Sequence, residues 1–233
     1  MTKRTYTIAR APQPPALTGR VEGTPWALAE VARIDAFPWH SAGSRQATQA
    51  RILYDESALH VQFLCEDRHV FSRVTDLNGP VCQDSCAELF FQPDPAGGYF
   101  NFEVNCCGVF HLGYGKERAG RKLISSALAA EISVAASEPP PTRAERPDDA
   151  GWWAAARLPF AVLGEFAGRT VRARAGDVWR GNLYRCGGKT DPQYACWQAI
   201  DLPRPDFHCP DRFGEFRLAP AGAIHHQPDG SRT

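Results

Sequence analysis

The chain has 233 residues, 43% of them hydrophobic and 11% aromatic, which is enough apolar material for one large all-β domain or two small ones. Its 26 Lys and Arg balance 26 Asp and Glu, and this zero net charge argues against a nucleic acid, which needs a concentrated basic surface, as the main partner. No apolar run approaches the ~18 residues of a membrane span and the N-terminus carries no apolar leader core, so a soluble, cytoplasmic protein with no membrane partner is expected, or an extracellular one if a leader has been removed.

Residues 1–20 read as extended and proline-rich, with the folded domain placed at 15–220 and extended tails at 1–14 and 221–233. Trp26 leads into Ala27–Ile34, a short helix or an irregular packing segment, and Phe37 and Trp39 plug one end of the fold. Ala47–Tyr54 alternates as a strand, Asp55-Glu56-Ser57 turns, and Leu59–Cys65 returns with Leu59, Val61, Phe63 and Cys65 on one face. Arg68–Gly79 is a polar excursion.

The pivot of the chain is Asp84–Phe110. Ala87–Gln92 is rich in strand-favouring types. Pro93, Asp94, Pro95, Gly97 and Gly98 break it, and Tyr99–Cys106 resumes with period-two alternation. Phe100, Phe102, Val104 and Cys106 then face a core. Tyr99, Asn101, Glu103 and Asn105 form a ladder of hydrogen-bonding groups on the other face, with Glu88 beside it. Carboxylates and amides in a flat array near aromatics suit a ligand rich in hydroxyls; the same pattern also describes an ordinary solvated sheet face.

Lys116–Lys122 reads as a charged loop, Ile124–Ala136 as a strand with a small-residue edge, and the proline-rich Glu138–Ala150 as an exposed loop. Trp152–Leu158 is a strand and Pro159–Leu163 one helical turn. Asp177–Cys186 is a strand, Tyr194–Ile200 carries Trp197, and Phe213–Leu218 is the last strand. There is no internal repeat and no domain-sized linker. The economical architecture is an all-β, antiparallel β-sandwich, with immunoglobulin-like or jelly-roll-like layers and short helical turns.

The eight cysteines contain no C-x-x-C pair, so the usual structural zinc spacing is missing. They read as reduced thiols, with Cys65, Cys106 and Cys186 inside apolar strand patterns. No G-x-S-x-G, H-E-x-x-H or phosphate loop is present.

Several pieces recur together in order: L-T-G…G-T-P-W at 17–26, A-R-I-L-Y-D-E-S-A-L-H-V at 50–61, C-E-D at 65–67, D-S-C-A-E-L-F-F at 84–91, Y-F-N-F-E-V-N at 99–105, L-P-F-A-V-L at 158–163, W-R-G-N-L-Y-R at 179–185 and F-H-C-P-D-R-F-G at 207–214. The ordered set resembles the carbohydrate-binding module family 9-like domains over roughly residues 15–220. That resemblance implies a β-sandwich that stacks a sugar on two tryptophans while an acidic residue and amides fix its hydroxyls. Carried over by position, Trp197 matches one tryptophan, Glu88 the acidic residue and Asn182 an amide. Cys82 stands where the second tryptophan is expected, Glu103 where a basic residue is expected, and Tyr184 where a glutamine is expected.

The ligand-binding set expected is therefore Trp197, Glu88, Glu103, Asn105, Asn182 and Tyr184, and the function is non-catalytic binding of a carbohydrate partner. The alternatives are a structural or interaction domain with a decayed groove, a glycoside hydrolase using Glu88 and Glu103 as paired acids, and a haem-binding domain of the related DOMON type, for which Met1 is the only methionine. No catalytic residue and no cofactor is expected beyond a structural calcium, which the family often carries. Asp55, Glu56, Glu66, Asp67 and Asp84 offer oxygens for it in or beside turns.

Overall fold

Alternation of apolar and polar side chains produces strands that each bury one face. The computed structural model describes residues 2–221, so the C-terminal tail, Ala221 apart, lies outside the described residues. In chain order the strands are β1 (Thr5–Arg10), β2 (Ala32–Arg33), β3 (Thr48–Tyr54), β4 (Ala58–Glu66), β5 (Cys86–Gln92), β6 (Tyr99–Asn105), β7 (Phe110–Gly115), β8 (Lys122–Leu123), β9 (Ser133–Ala136), β10 (Gly151–Pro159), β11 (Val178–Gly187), β12 (Gln193–Cys196) and β13 (Gly214–Leu218). Two short helices join them, α1 (Ser126–Ala129) and α2 (Phe160–Ala167). No helix among the described residues is long and apolar enough to cross a membrane.

The strands form one curled, mixed sheet in the order β8-β7-β6-β5-β11-β13-β1-β3-β4-β10-β9, with β12 added to β11 and β2 to β3. Strand β1 is the joint. Thr5, Tyr6, Thr7 and Ile8 pair parallel with β13, and Ala9 and Arg10 pair parallel with β3. This corrects two expectations. The segment read as an N-terminal tail contributes an internal strand, and the sheet is not purely antiparallel. The prolines from Pro12 onward cannot donate to a ladder, so they end β1 without preventing it.

Local chemistry sets the connections. In the β3–β4 turn, Asp55 Oδ1 accepts from the Ser57 and Ala58 backbone N–H groups at 2.7 and 2.9 Å and from the Ser57 hydroxyl at 2.8 Å. The strand expected over Ile124–Ala136 is instead α1 followed by the short β9. The Ser125 hydroxyl caps α1 by accepting from Leu128 N–H, and Ala and Leu are strong helix formers. The expected single turn after Pro159 extends through Ala167 as α2. Strand β7, absent from the sequence reading, carries Gly113 at a close approach: a Cβ there would lie 2.5 Å from Asn101 Oδ1.

The core unites both ends of the sheet. Ile52, Val61, Phe63 and Ala154 on one side join Leu89, Phe91, Phe100, Phe102 and Leu183 on the other in a single buried cluster. Each Leu, Ile, Val or Phe side chain among them contributes about 1.5–3 kcal/mol when fully buried. Period two is obeyed: Leu59, Val61, Phe63 and Cys65, and likewise Phe100, Phe102, Val104 and Cys106, all belong to this cluster. One ion pair crosses it. Arg185 of β11 donates to Asp67 Oδ2 at 2.6 Å, with both side chains buried, and its guanidinium lies 5.2 Å from the centroid of the Trp152 ring.

Candidate functional site

The outward residues of β5, β6 and β11 form the floor of a cavity of about 420 Å³. This lies within the ~300–1,000 Å³ range of small-molecule sites. Glu88 of β5 and Glu103 of β6 are direct antiparallel partners, so both carboxyls rise from the same face. Both are buried and both line the cavity, together with Cys186 at the end of β11. Burial pushes the Glu88 carboxyl well above the usual carboxylate range, and the neighbouring Glu103 adds to the effect. Burial also raises Glu103, against the pull of His111, Asn101 and Arg121. The pair therefore keeps a proton where isolated carboxyls have lost it, and it can both donate to and accept from a ligand hydroxyl.

A relay holds Glu103 in place. Its Oε1 accepts from Asn101 Nδ2 at 2.8 Å, while Arg121 Nε donates to Asn101 Oδ1 at 2.9 Å. Arg121 also lies over the Tyr99 ring at 4.0 Å, which fixes the β7–β8 loop that carries Arg118 to the cavity. At the rim Arg118 pairs with Asp206 at 2.6 Å, and Asp206 Oδ1 also accepts from the His208 backbone N–H. Burial, aided by Arg121 and Arg118, lowers His208 to about 4, while burial raises Tyr99 to about 12. The Tyr99 hydroxyl and His208 Nδ1 share a hydrogen bond at 2.8 Å.

Two aromatics border the space. Phe207 stacks face to face on Tyr184 at 4.2 Å, and the Tyr184 hydroxyl donates to the Phe207 carbonyl. Tyr194 of β12 is 41% exposed at the cavity wall, where few large apolar side chains remain open. On the opposite wall Cys82 and Gln83 come from the short turn Val81–Gln83. Gly187 permits this wall: its φ is +70°, and a Cβ there would lie 2.0 Å from the Asp84 carbonyl oxygen.

A family model described as carbohydrate-binding family 9 matches residues 26–218, most of the chain. The chain belongs to carbohydrate-binding family 9. Two solved family 9 modules from Caldicellulosiruptor kristjanssonii are similar in fold. One, in complex with cellotriose, has a TM-score of 0.61 at 13% identity and covers 98% of this chain and 100% of its own. The other, in complex with glucose, has a TM-score of 0.60 at 14% identity, covering 97% and 100%. A candidate carbohydrate-binding protein from Bacteroides uniformis has a TM-score of 0.80 at 22% identity and covers 93% of this chain and 100% of its own. A comparison of the sequence with curated proteins gives no match.

Within this family 9 domain the six expected site residues separate. Glu88 and Glu103 meet at the cavity floor, and Tyr184 lies beneath Phe207. Trp197 is corrected. It is 5% exposed, belongs to the main core and packs on Tyr6 and Phe216 at 6.4 and 5.6 Å. Asn105 is also corrected: its Nδ2 donates to Asp84 Oδ2 and Ser72 Oγ, and its Oδ1 accepts from the Cys107 and Val109 N–H groups. Asn182 likewise spends its amide on the backbone, donating to the Gln198 carbonyl and accepting from the Leu183 and Gln198 N–H groups.

Sequence reasoning passed over Tyr194, Phe207, Arg118 and Asp206. One signal was available: the F-H-C-P-D-R-F-G motif at 207–214, which begins at Phe207. The turn carboxylates considered for calcium are engaged by protein donors at Asp55, Asp67 and Asp84. No three of the five converge among the described residues.

Proposed function

We propose that this domain binds a saccharide in the cavity above Glu88 and Glu103 and leaves it chemically unchanged. The observation that carries the reading is the directly opposed, buried carboxyl pair at the base of an open cavity with an exposed tyrosine on its wall. Vicinal sugar hydroxyls need donors and acceptors held a fixed distance apart, and the Arg121–Asn101–Glu103 relay supplies such rigidity. The apolar C–H face of the ring stacks on Tyr194, in place of the buried Trp197. The two halves of the curled sheet lie against each other as the layers of a sandwich, and the shared core cluster supports this. Family membership and the glucose and cellotriose held by the two modules of similar fold make these sugars the first ligands to try.

Calorimetric titration with glucose and cellotriose tests the reading, followed by a glycan array. Losing a hydrogen bond to a charged or partly charged carboxyl costs ~1.5–3 kcal/mol. Glu103→Gln and Tyr194→Ala are therefore each expected to weaken binding at least tenfold. Unchanged affinity in both variants removes the assignment. Turnover of chromogenic glycosides that disappears in Glu88→Gln overturns the non-catalytic half of it.

A further inference from the structure

We propose that Cys86, Cys186 and Glu88 form a binding site for a thiophilic divalent cation, Zn²⁺ in the first instance, at the foot of the cavity. Cys86 and Cys186 are direct antiparallel partners on β5 and β11. Glu88 lies two residues along β5 and therefore on the same face. The three ligand atoms all fall within 4.8 Å of one another. A tetrahedral cation with Zn–S bonds of about 2.3 Å and Zn–O bonds of about 2.0–2.2 Å requires separations somewhat under 4 Å, so a small contraction closes the site. One edge is already shorter than that, where the Cys186 thiol donates to Glu88 Oε1 at 2.8 Å, and it lengthens when the cation takes the place of the thiol proton.

The surroundings suit a cation. All three side chains are buried, at 0%, 2% and 2% exposure for Cys86, Cys186 and Glu88. The Cys86 sulfur makes a long 3.7 Å contact to the Ala87 carbonyl. Glu88 and Cys186 both line the cavity, which leaves the fourth coordination position open to water or to a donor entering there. Cys82 is a further sulfur on that wall, four positions before Cys86.

Burial pushes Glu88 well above its ordinary range and Cys86 up to about 11, so both hold their protons when no cation is bound. Binding then breaks two S–H bonds and one O–H bond and releases three protons to solvent. It forms two metal–sulfur bonds and one metal–oxygen bond, with no change of oxidation state. The resulting complex carries one negative charge, opposite the Arg118 guanidinium at the cavity wall.

The test uses the full chain, purified under reductant, stripped with chelator and titrated with Co²⁺. The expected result is a saturable thiolate-to-cobalt charge-transfer band with intense tetrahedral d–d absorption, displaced by Zn²⁺. Cys86→Ser and Cys186→Ser should each diminish that band and weaken Co²⁺ binding at least tenfold. Glu88→Gln should weaken binding with the band retained. Cys107→Ser, which removes the thiol that Cys106 lowers to about 6, should change neither. Should a serine variant fail to fold, peptide mapping of the parent chain, alkylated in urea just below its unfolding transition, replaces it: Zn²⁺ must slow the labelling of Cys86 and Cys186 and leave that of Cys107 unchanged. A missing band, a band that survives both serine variants, or recovery of Cys86 and Cys186 as a disulfide overturns the proposal. Sugar titrations on the chelator-treated protein address the saccharide reading separately.

Discussion

At the scale of single residues, burial separates side chains that look alike in sequence. Trp197 and Tyr194 sit three positions apart on the same segment, yet one faces the core and the other the cavity. Truncating Trp197 to alanine leaves a large void, so urea denaturation of Trp197→Ala should show a loss of about 3–5 kcal/mol. Tyr194→Ala should leave the midpoint nearly unchanged. The Asp55–His60 contact at 2.8 Å is a second residue-scale feature with a measurable sign. Burial raises the Asp55 carboxyl, but the Ser57 backbone N–H, His60 and the Ser57 hydroxyl together hold it at about 2, below its ordinary 3.8. Burial lowers His60 below its ordinary 6.5, with Arg157 adding to the shift and Asp55 opposing it. Both folded values lie below the unfolded ones, so the unfolded chain binds more protons as pH falls. Stability should decline first below pH 6.5 through His60, then from about 3.8 toward 2 through Asp55. Urea midpoints between pH 7 and pH 3 check this, and Asp55→Asn should flatten the acid part of the curve.

At the scale of elements, the end of β11 and the turn Val81–Gln83 form one wall of the cavity because Gly187 lets their backbones approach. Alanine there meets the Asp84 and Cys82 carbonyl oxygens at 2.0 and 2.5 Å and must adopt a positive φ. Gly187→Ala should cost on the order of 1–3 kcal/mol from the backbone conformation alone. It should also displace the Cys82 wall, so thermal melting and sugar titration are both expected to fall. The hairpins β3–β4 and β5–β6 were legible because their turns use Asp, Pro and Gly at positions where those residues act locally. Strand β7 was not, since Gly113 and Gly115 lower the strand signal, and Gly113 does so while allowing a close approach of Asn101 on β6. The Ser125-capped helix inside an expected strand shows the same limit: its alanines and serines have no face to reveal a period.

At the scale of the whole molecule, two features tie the halves of the sheet together. Strand β1 bridges β13 and β3, so deleting residues 2–10 uncovers two edges and half the joint. Circular dichroism of that truncated chain should show loss of the cooperative transition. The other tie is Arg185, which reaches Asp67 from β11, while Trp152 Nε1 and the Ser85 hydroxyl donate to the same Asp67 oxygen. Removing one member of a buried ion pair strands the other, at a cost of about 3–5 kcal/mol. Arg185→Ala is expected to lower the chemical denaturation midpoint accordingly, and a shift within error of the parent would show that the pair is dispensable.

The amino-acid order by itself determined which face of each strand turns inward, and so it placed Glu88 and Glu103 on a common outer face and grouped the chain with carbohydrate-binding family 9. Alternation is a local property, fixed by the backbone geometry of neighbouring residues. Only the tertiary structure decided that Trp197 is enclosed while Tyr194 is open, that β1 joins the halves, and that Cys186 meets Glu88 across 98 positions of chain. Those outcomes depend on strand order and on which loops close over the sheet, and no periodicity within one segment encodes them.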